Sequence, residues 1–407
     1  MRDKKIALLT QWFDPEPTFK GLVFARELVR QGFRVEVITG IPNYPGGKFY
    51  NGYKVVLIQR EVIDGVNITR LPLYPSHDQS AIKRILNYVS FAASALFYGL
   101  FFMKRVDVIY AYHPPLTVGV VASLIKIFRR IPVVYDIQDM WPDTLRATGM
   151  IDNARLLAVV SRVCNWVYCR VDEIVVLSPG FKRLLIERGV RKEKIEVIYN
   201  WADEGSLIAP GGDVLPENFP DKDAFKVIFA GNMGKAQALD IVLKAAALLK
   251  AANSRVVFVM IGGGVDVLRL KNTAAEMRLS NVVFLPAVPM AQVGKFLISS
   301  DALLVHLKKD PLFQITIPSK TQAYMCVGKP ILMAVDGDAS DLVCQANCGI
   351  TAESQDPKEL ARAAERLATL DHGQLTQLGE NSRKYYCDHL SLAVGVGKFV
   401  EIFKRLQ

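Results

Sequence analysis

Histidine and cysteine are scarce in this chain, and neither is grouped. The six cysteines (Cys164, Cys169, Cys326, Cys344, Cys348 and Cys387) form no CxxC pair, and no histidine stands at ligand spacing from them. That excludes a zinc module and leaves reduced thiols as the expectation. The dinucleotide fingerprint GxGxxG is absent, which argues against an NAD enzyme, and the absence of GxxxxGK[ST] argues against ATP hydrolysis. No compact Lys/Arg cluster with interleaved aromatics is present, so nucleic acid is not the expected partner. A signal peptide is missing too: the apolar or small run after Met1–Lys5 stops at Ile6–Thr10, so a cytoplasmic protein is expected.

What remains is a globular composition, 51% hydrophobic over 407 residues, too long for one ordinary core. The net charge of +10 is uneven. Residues 1–204 hold 28 Lys/Arg against 20 Asp/Glu, and the rest hold 22 against 20. The basic first half also carries Ile85–Met103, nineteen residues without a charge, flanked by Lys83-Arg84 and Lys104-Arg105. The length approaches a bilayer span. Its polar residues Asn87, Tyr88, Ser90, Ser94 and Tyr98 fit better with a helix lying in an anionic membrane interface. A purely internal helix is the plain alternative.

Short apolar runs of strand length alternate with helical periodicity. Ile6–Thr10, Val35–Thr39, Asn67–Leu71, Asp107–Ala111, Ile131–Tyr135, Glu173–Leu177 and Ile195–Tyr199 come first. The pattern breaks at Ala202–Asp223, rich in Pro, Gly, Asp and Glu, and restarts with Lys226–Ala230 and Val256–Ile261. This grammar predicts two α/β doubly wound, Rossmann-like domains facing across a cleft. The expected division is 1–201 for the first domain, 202–223 as linker, 224–388 for the second, and a 389–407 helix that packs back on the first.

The richest stretch is Val134–Asp143, where a strand runs into Asp136, Gln138, Asp139, Trp141 and Asp143. Ligands in such sheets bind beyond the carboxyl ends of the strands, so Asp139 and Asp136 are the candidates for taking up a proton. Asp143 reads as a helix cap. Other groups follow strands in the same way. Lys20-Gly21 opens a helix whose amino end suits an anion, and His113 is the one histidine placed for chemistry. In the second half, Gly231-Asn232-Met-Gly-Lys235 and Gly262-Gly263-Gly264 are glycine corners that let backbone approach a phosphate or nucleoside. Pro318-Ser319-Lys320-Thr321-Gln322 begins a helix that would present N–H groups, hydroxyls and a cation to a pyrophosphate. Asp336-Gly-Asp338 has the DxD pattern, but Asp338 reads as a cap and no metal is expected.

Taken together, these motifs resemble glycosyltransferase family 4, retaining enzymes of the GT-B fold, over essentially the whole chain. Pro42-Asn43-Tyr44-Pro-Gly-Gly47, Tyr135–Pro142 and Pro318–Gln322 are similar to bacterial enzymes of O-antigen and capsule assembly, N-acetyl-L-fucosaminyl transferases in particular. The resemblance implies a UDP-sugar donor, a lipid-linked saccharide acceptor at the inner membrane surface, and no cofactor or metal. It places Gly21, Asn232, Lys235, Gly262, Gly263, Ala287, Val288, Gln314, Ser319, Lys320, Thr321 and Gln322 on the donor, and Lys20, Asn43, Tyr44, His113 and Trp141 on the acceptor. Two departures stand out. The family's paired glutamates are Ile315 and Ala323 here, with Gln314 and Gln322 beside them as neutral substitutes. Asp136, Gln138 and Asp139 stand where many members have a histidine. A UDP-GlcNAc 2-epimerase of the same fold and a catalytically silent sugar-nucleotide-binding subunit are the competing readings.

Overall fold

The computed structural model describes residues 4–76, 81–208 and 215–406. Two compact units emerge: Met1–Ile198 joined by Gly395–Gln407, and Tyr199–Val394.

The first unit is built on β1 (Lys5–Leu9), β2 (Arg34–Gly40), β3 (Gln59–Ile63), β4 (Val66–Leu71), β5 (Val108–His113), β6 (Val133–Ile137), β7 (Glu173–Val176) and β8 (Ile195–Val197). Their order is β3-β4-β2-β1-β5-β6-β7-β8. Neighbours run parallel except β3 and β4. β5 and β6 are buried along their whole length, as strands covered by helices on both faces must be. The chain leaves β1 toward β2 and later resumes on its other side at β5. The loops after these strands therefore open at a topological switch point, where such sheets bind ligands.

The second unit repeats the plan with β9 (Phe225–Ala230), β10 (Val256–Ile261), β11 (Val282–Leu285), β12 (Ala302–His306), β13 (Ile331–Ala334) and β14 (Gly349–Thr351), ordered β11-β10-β9-β12-β13-β14. Its switch point lies between β9 and β12. One face of the sheet packs Ile228, Val259, Leu303 and Met333 against the Ser319–Val327 helix. The other packs Phe229, Phe258 and Leu304 against the helices Asp240–Ala251 and Pro357–Thr369.

Several details differ from the sequence expectation. β6 starts and ends two residues late, so Asp136 lies inside the strand, beside Tyr112 of β5 and Val175 of β7. The β3–β4 hairpin was not anticipated, although Asp64-Gly65 turns it with φ of 51° and 81°, the positive values a type I′ turn needs. Within 202–223, Glu204–Ile208 is a helix whose Leu207 belongs to the second unit's core; residues 209–214 lie outside the described residues. At the other end, the Leu392–Arg405 helix sets Phe399 5.2 Å from Phe24 and 5.5 Å from Tyr110. Its Arg405 pairs with Glu173 at 3.0 Å.

Candidate active site

In the first unit, the loops after β1, β2, β5 and β6 converge. Asp136 is fully buried and receives Lys20 Nζ at 2.6 Å, the Tyr110 hydroxyl at 2.5 Å and Gln138 Nε2 at 2.6 Å. Lys20 is buried as well, and burial pulls its ammonium below the usual range while Asp136 opposes that. An ion pair this deep is costly to form and costlier to break by halves. It locks the Phe19–Gly21 turn to the centre of the sheet. This corrects two expectations: Lys20 is unavailable to an acceptor, and Asp136 is an anchor rather than a free base.

Gly21 needs correction for a related reason. The Leu22 N–H at the start of its helix donates to Asp14 Oδ2 at 2.6 Å, and a Cβ on Gly21 would lie 2.1 Å from that oxygen. The chain's own carboxylate occupies the helix end that had been assigned to the donor.

Asp139 is different. Its half-buried side chain has no hydrogen bond or ion pair among the described residues, and burial alone raises its pKa. A carboxyl so placed is a competent proton acceptor. Asp143, expected to cap, instead begins the Asp143–Ala147 helix and pairs with Arg188. His113 ends β5, buried and pushed down to about 3 by burial, so it is neutral. Its ring meets Trp141 edge-on at 5.3 Å.

A polar network holds the neighbouring loops. Gln11 Nε2 donates to Asn87 Oδ1 at 2.5 Å, and Asn87 Nδ2 donates to Asn43 Oδ1 at 3.2 Å. Asn43 is thus structural rather than open to an acceptor. Glu16, which sequence reading missed, accepts N–H bonds from Asn43 and Tyr44, both at 2.7 Å, and from Phe13 at 3.2 Å. Burial pushes its carboxyl up to about 7 against these donors. Trp12 was missed too. It lies 4.8 Å from the ring of Tyr44 and 6.3 Å from that of Tyr88. A Trp three positions beyond a strand that opens a switch point was the available signal.

In the second unit, the glycine corners after β9 and β10 have positive φ at Gly231 (136°), Gly262 (141°) and Gly264 (136°). Their corners touch, since a Cβ on Gly262 would lie 2.0 Å from the Gly231 carbonyl oxygen. Asn232 Oδ1 packs on Gly264, and Gly263 faces Ala287. Pro286 to Val288 follow β11 directly. Tyr324 holds the strand end before the corner, accepting the Ala230 N–H at 2.9 Å.

The cation beside this backbone is Lys320. Its Nζ sits 4.7 Å from the centre of the Phe229 ring, and a Cβ on Gly231 would come within 2.9 Å of it. It has no ion pair or hydrogen bond among the described residues, and burial lowers it to about 8. No side chain caps the Ser319–Val327 helix from which it projects. An unneutralised ammonium beside uncapped helix N–H groups is built for an anion. Lys235 is exposed and lines a separate cavity of about 370 Å³ with Asp240, Asp266, Arg269 and Lys308.

Two donor expectations on this helix fail. Thr321 is fully buried with its hydroxyl in the core, and Gln322 is buried with its amide nitrogen donating to the Pro318 (2.9 Å) and Ser319 (3.2 Å) carbonyls. A helix advances 100° per residue, so only part of a four-residue motif can face one ligand. Ser319 and Gln314 are exposed.

Comparison with known proteins gives consistent findings. Residues 22–201 match the glycosyl transferase 4-like domain, and residues 215–385 match glycosyl transferases group 1. The probable glycosyltransferase WbjE of Pseudomonas aeruginosa is 26% identical over 308 residues, covering 74% of this chain and 76% of that protein. The putative colanic acid biosynthesis glycosyl transferase WcaI of Escherichia coli is 27% identical over 316 residues, 74% and 75% of the two chains. Among solved structures, Anabaena HepE in complex with UDP-glucose superimposes with a TM-score of 0.66 at 15% identity, over 98% of this chain and 99% of that one. That last likeness speaks to the fold.

Proposed function

The chain belongs to the glycosyltransferases of family 4 type, GT-B enzymes of polysaccharide biosynthesis, and from that premise we propose a retaining, metal-independent transfer from a UDP-sugar to a polyprenyl-diphosphate-linked saccharide. The donor sugar in this reading is an N-acetylated hexosamine or deoxyhexosamine, and the product serves O-antigen or capsule assembly at the inner face of the membrane.

One observation carries the chemistry: among the described residues, Asp139 in the first unit and Lys320 in the second are partly buried charged groups at the switch points with no ion pair or side-chain hydrogen bond. In the second unit, Lys320 and the helix end at Ser319 take the diphosphate, where negative charge grows as the glycosidic bond to the donor breaks. Gly262, Gly263, Ala287 and Val288 line the nucleoside. The diphosphate ligand of HepE supports a UDP donor. In the first unit, Asp139 accepts the proton of the acceptor hydroxyl as the new bond forms. Departure of the diphosphate and attack from the same face give retention without a protein nucleophile.

The Ala81–Phe101 helix supports a lipid-linked acceptor. Among the described residues no helix is long and apolar enough to cross a membrane. This one nevertheless exposes Ile82, Ile85, Leu86, Val89, Phe97 and Phe101, the first and last at 72% and 70%. With Lys83, Arg84, Lys104 and Arg105 at its ends, it suits shallow insertion among anionic lipids.

Asp139→Asn tests the mechanism. Turnover should fall about 100-fold or more, while thermal stabilisation by UDP persists. Undiminished transfer in this variant would remove Asp139 from the reaction. Incubation with UDP-GlcNAc and no acceptor should yield no epimer, and co-flotation with anionic liposomes at low salt is expected.

A further inference from the structure

Tyr88 and Arg84 stand one turn apart on the Ala81–Phe101 helix and so point the same way. This turn is fixed in register, because Asn87 between them bonds to Gln11, Asn43 and the Tyr74 carbonyl. Trp12 and Tyr44 complete an aromatic wall with Tyr88. All three rings are half-buried, leaving apolar faces that water solvates poorly. Arg84 carries no hydrogen bond or ion pair among the described residues, yet it is half-buried. Arg84, Tyr44 and Asp139 all lie close enough to the Tyr88 hydroxyl to bear on its ionisation. A cation, an aromatic wall and the Asp139 carboxylate are thus gathered around Tyr88.

We propose that this turn is the acceptor subsite, with Trp12, Tyr44 and Tyr88 holding one hexose ring and Arg84 holding the diphosphate attached to it. The inference rests on the lipid-linked acceptor proposed above and narrows it. The same helix carries the apolar stripe Ile82, Ile85, Leu86 and Val89, so its depth in the interface sets the level at which the diphosphate is met.

The test uses farnesyl-diphosphate-linked N-acetylglucosamine and the methyl glycoside of N-acetylglucosamine, with binding read by tryptophan fluorescence. Wild type should bind the diphosphate-linked monosaccharide at least about 10-fold more tightly than the methyl glycoside, the difference a charge-assisted contact supplies. Arg84→Gln should abolish that difference, Arg84→Lys should keep part of it, and Tyr88→Ala should weaken both ligands. Retained stabilisation by UDP shows that each variant is folded. If wild type binds no lipid diphosphate sugar while UDP still stabilises it, the lipid-linked acceptor fails and this subsite with it. Should wild type bind while Arg84→Gln binds equally well, the subsite alone is wrong.

Discussion

Lys320→Met separates what the ammonium costs the fold from what it does for the ligand. Burial lowers this group from an ordinary 10.5 to about 8, and no counter-ion among the described residues offsets it. A displacement of that size corresponds to a penalty on the order of 3 kcal/mol for carrying the proton in the folded state. The sign follows from linkage. Below pH 8 both folded and unfolded chains hold the proton, so the full penalty is present. Between pH 8 and 10.5 the unfolded chain binds more protons than the folded one, so stability rises with pH and the penalty disappears. Lys320→Met should therefore raise stability at pH 7 by up to about 3 kcal/mol, with the gain vanishing near pH 10.5. The charge has its return on binding. A diphosphate at Lys320 favours the protonated form, so binding takes up a proton above pH 8, and UDP affinity should fall up to tenfold per pH unit there. Denaturant unfolding across pH, together with calorimetric UDP titrations from pH 6.5 to 9.5 in buffers of different ionisation enthalpy, measures both effects. UDP affinity that stays flat through pH 9.5, or that survives in Lys320→Met, would refute Lys320 as the diphosphate cation.

Two further predictions concern the scaffold around each site. Lys20→Met or Asp136→Asn alone should cost about 3–5 kcal/mol in denaturant unfolding, because each strands a buried partner, and the double replacement should recover much of that loss. Gly231→Ala should destabilise the protein by about 1–3 kcal/mol and weaken UDP binding, since φ is 136° there and the added methyl meets Lys320. A fully stable Gly231→Ala would show that this corner is not held as described.

The alternation of apolar runs and helical periods was enough to read two parallel α/β units, because strand burial on both faces writes itself as consecutive Val, Ile and Leu. The same sequence also singled out Val134–Asp143 and Pro318–Gln322 as stretches where polar groups follow a strand or open a helix. What it could not resolve was which members of each group are free. Asp136 and Asp139 are equivalent as letters. They differ because Lys20, 116 positions earlier, reaches one and not the other. Glu16 and Trp12 were passed over for the same reason, since Asn43, Tyr44 and Tyr88 reach them from distant segments.

By itself the sequence determined the fold class, the strand ends around which chemistry gathers, and the net positive first half. Hydrophobic periodicity and local turn chemistry are short-range properties and need no partner to be read. The tertiary structure decided the division of labour: Asp136 and Lys20 neutralise each other, Asp14 closes the helix end at Gly21, and Asp139 and Lys320 keep unneutralised charge. Whether a charge is spent or available depends on desolvation and on the nearest opposite charge, and both are set only when distant segments of the chain are packed together.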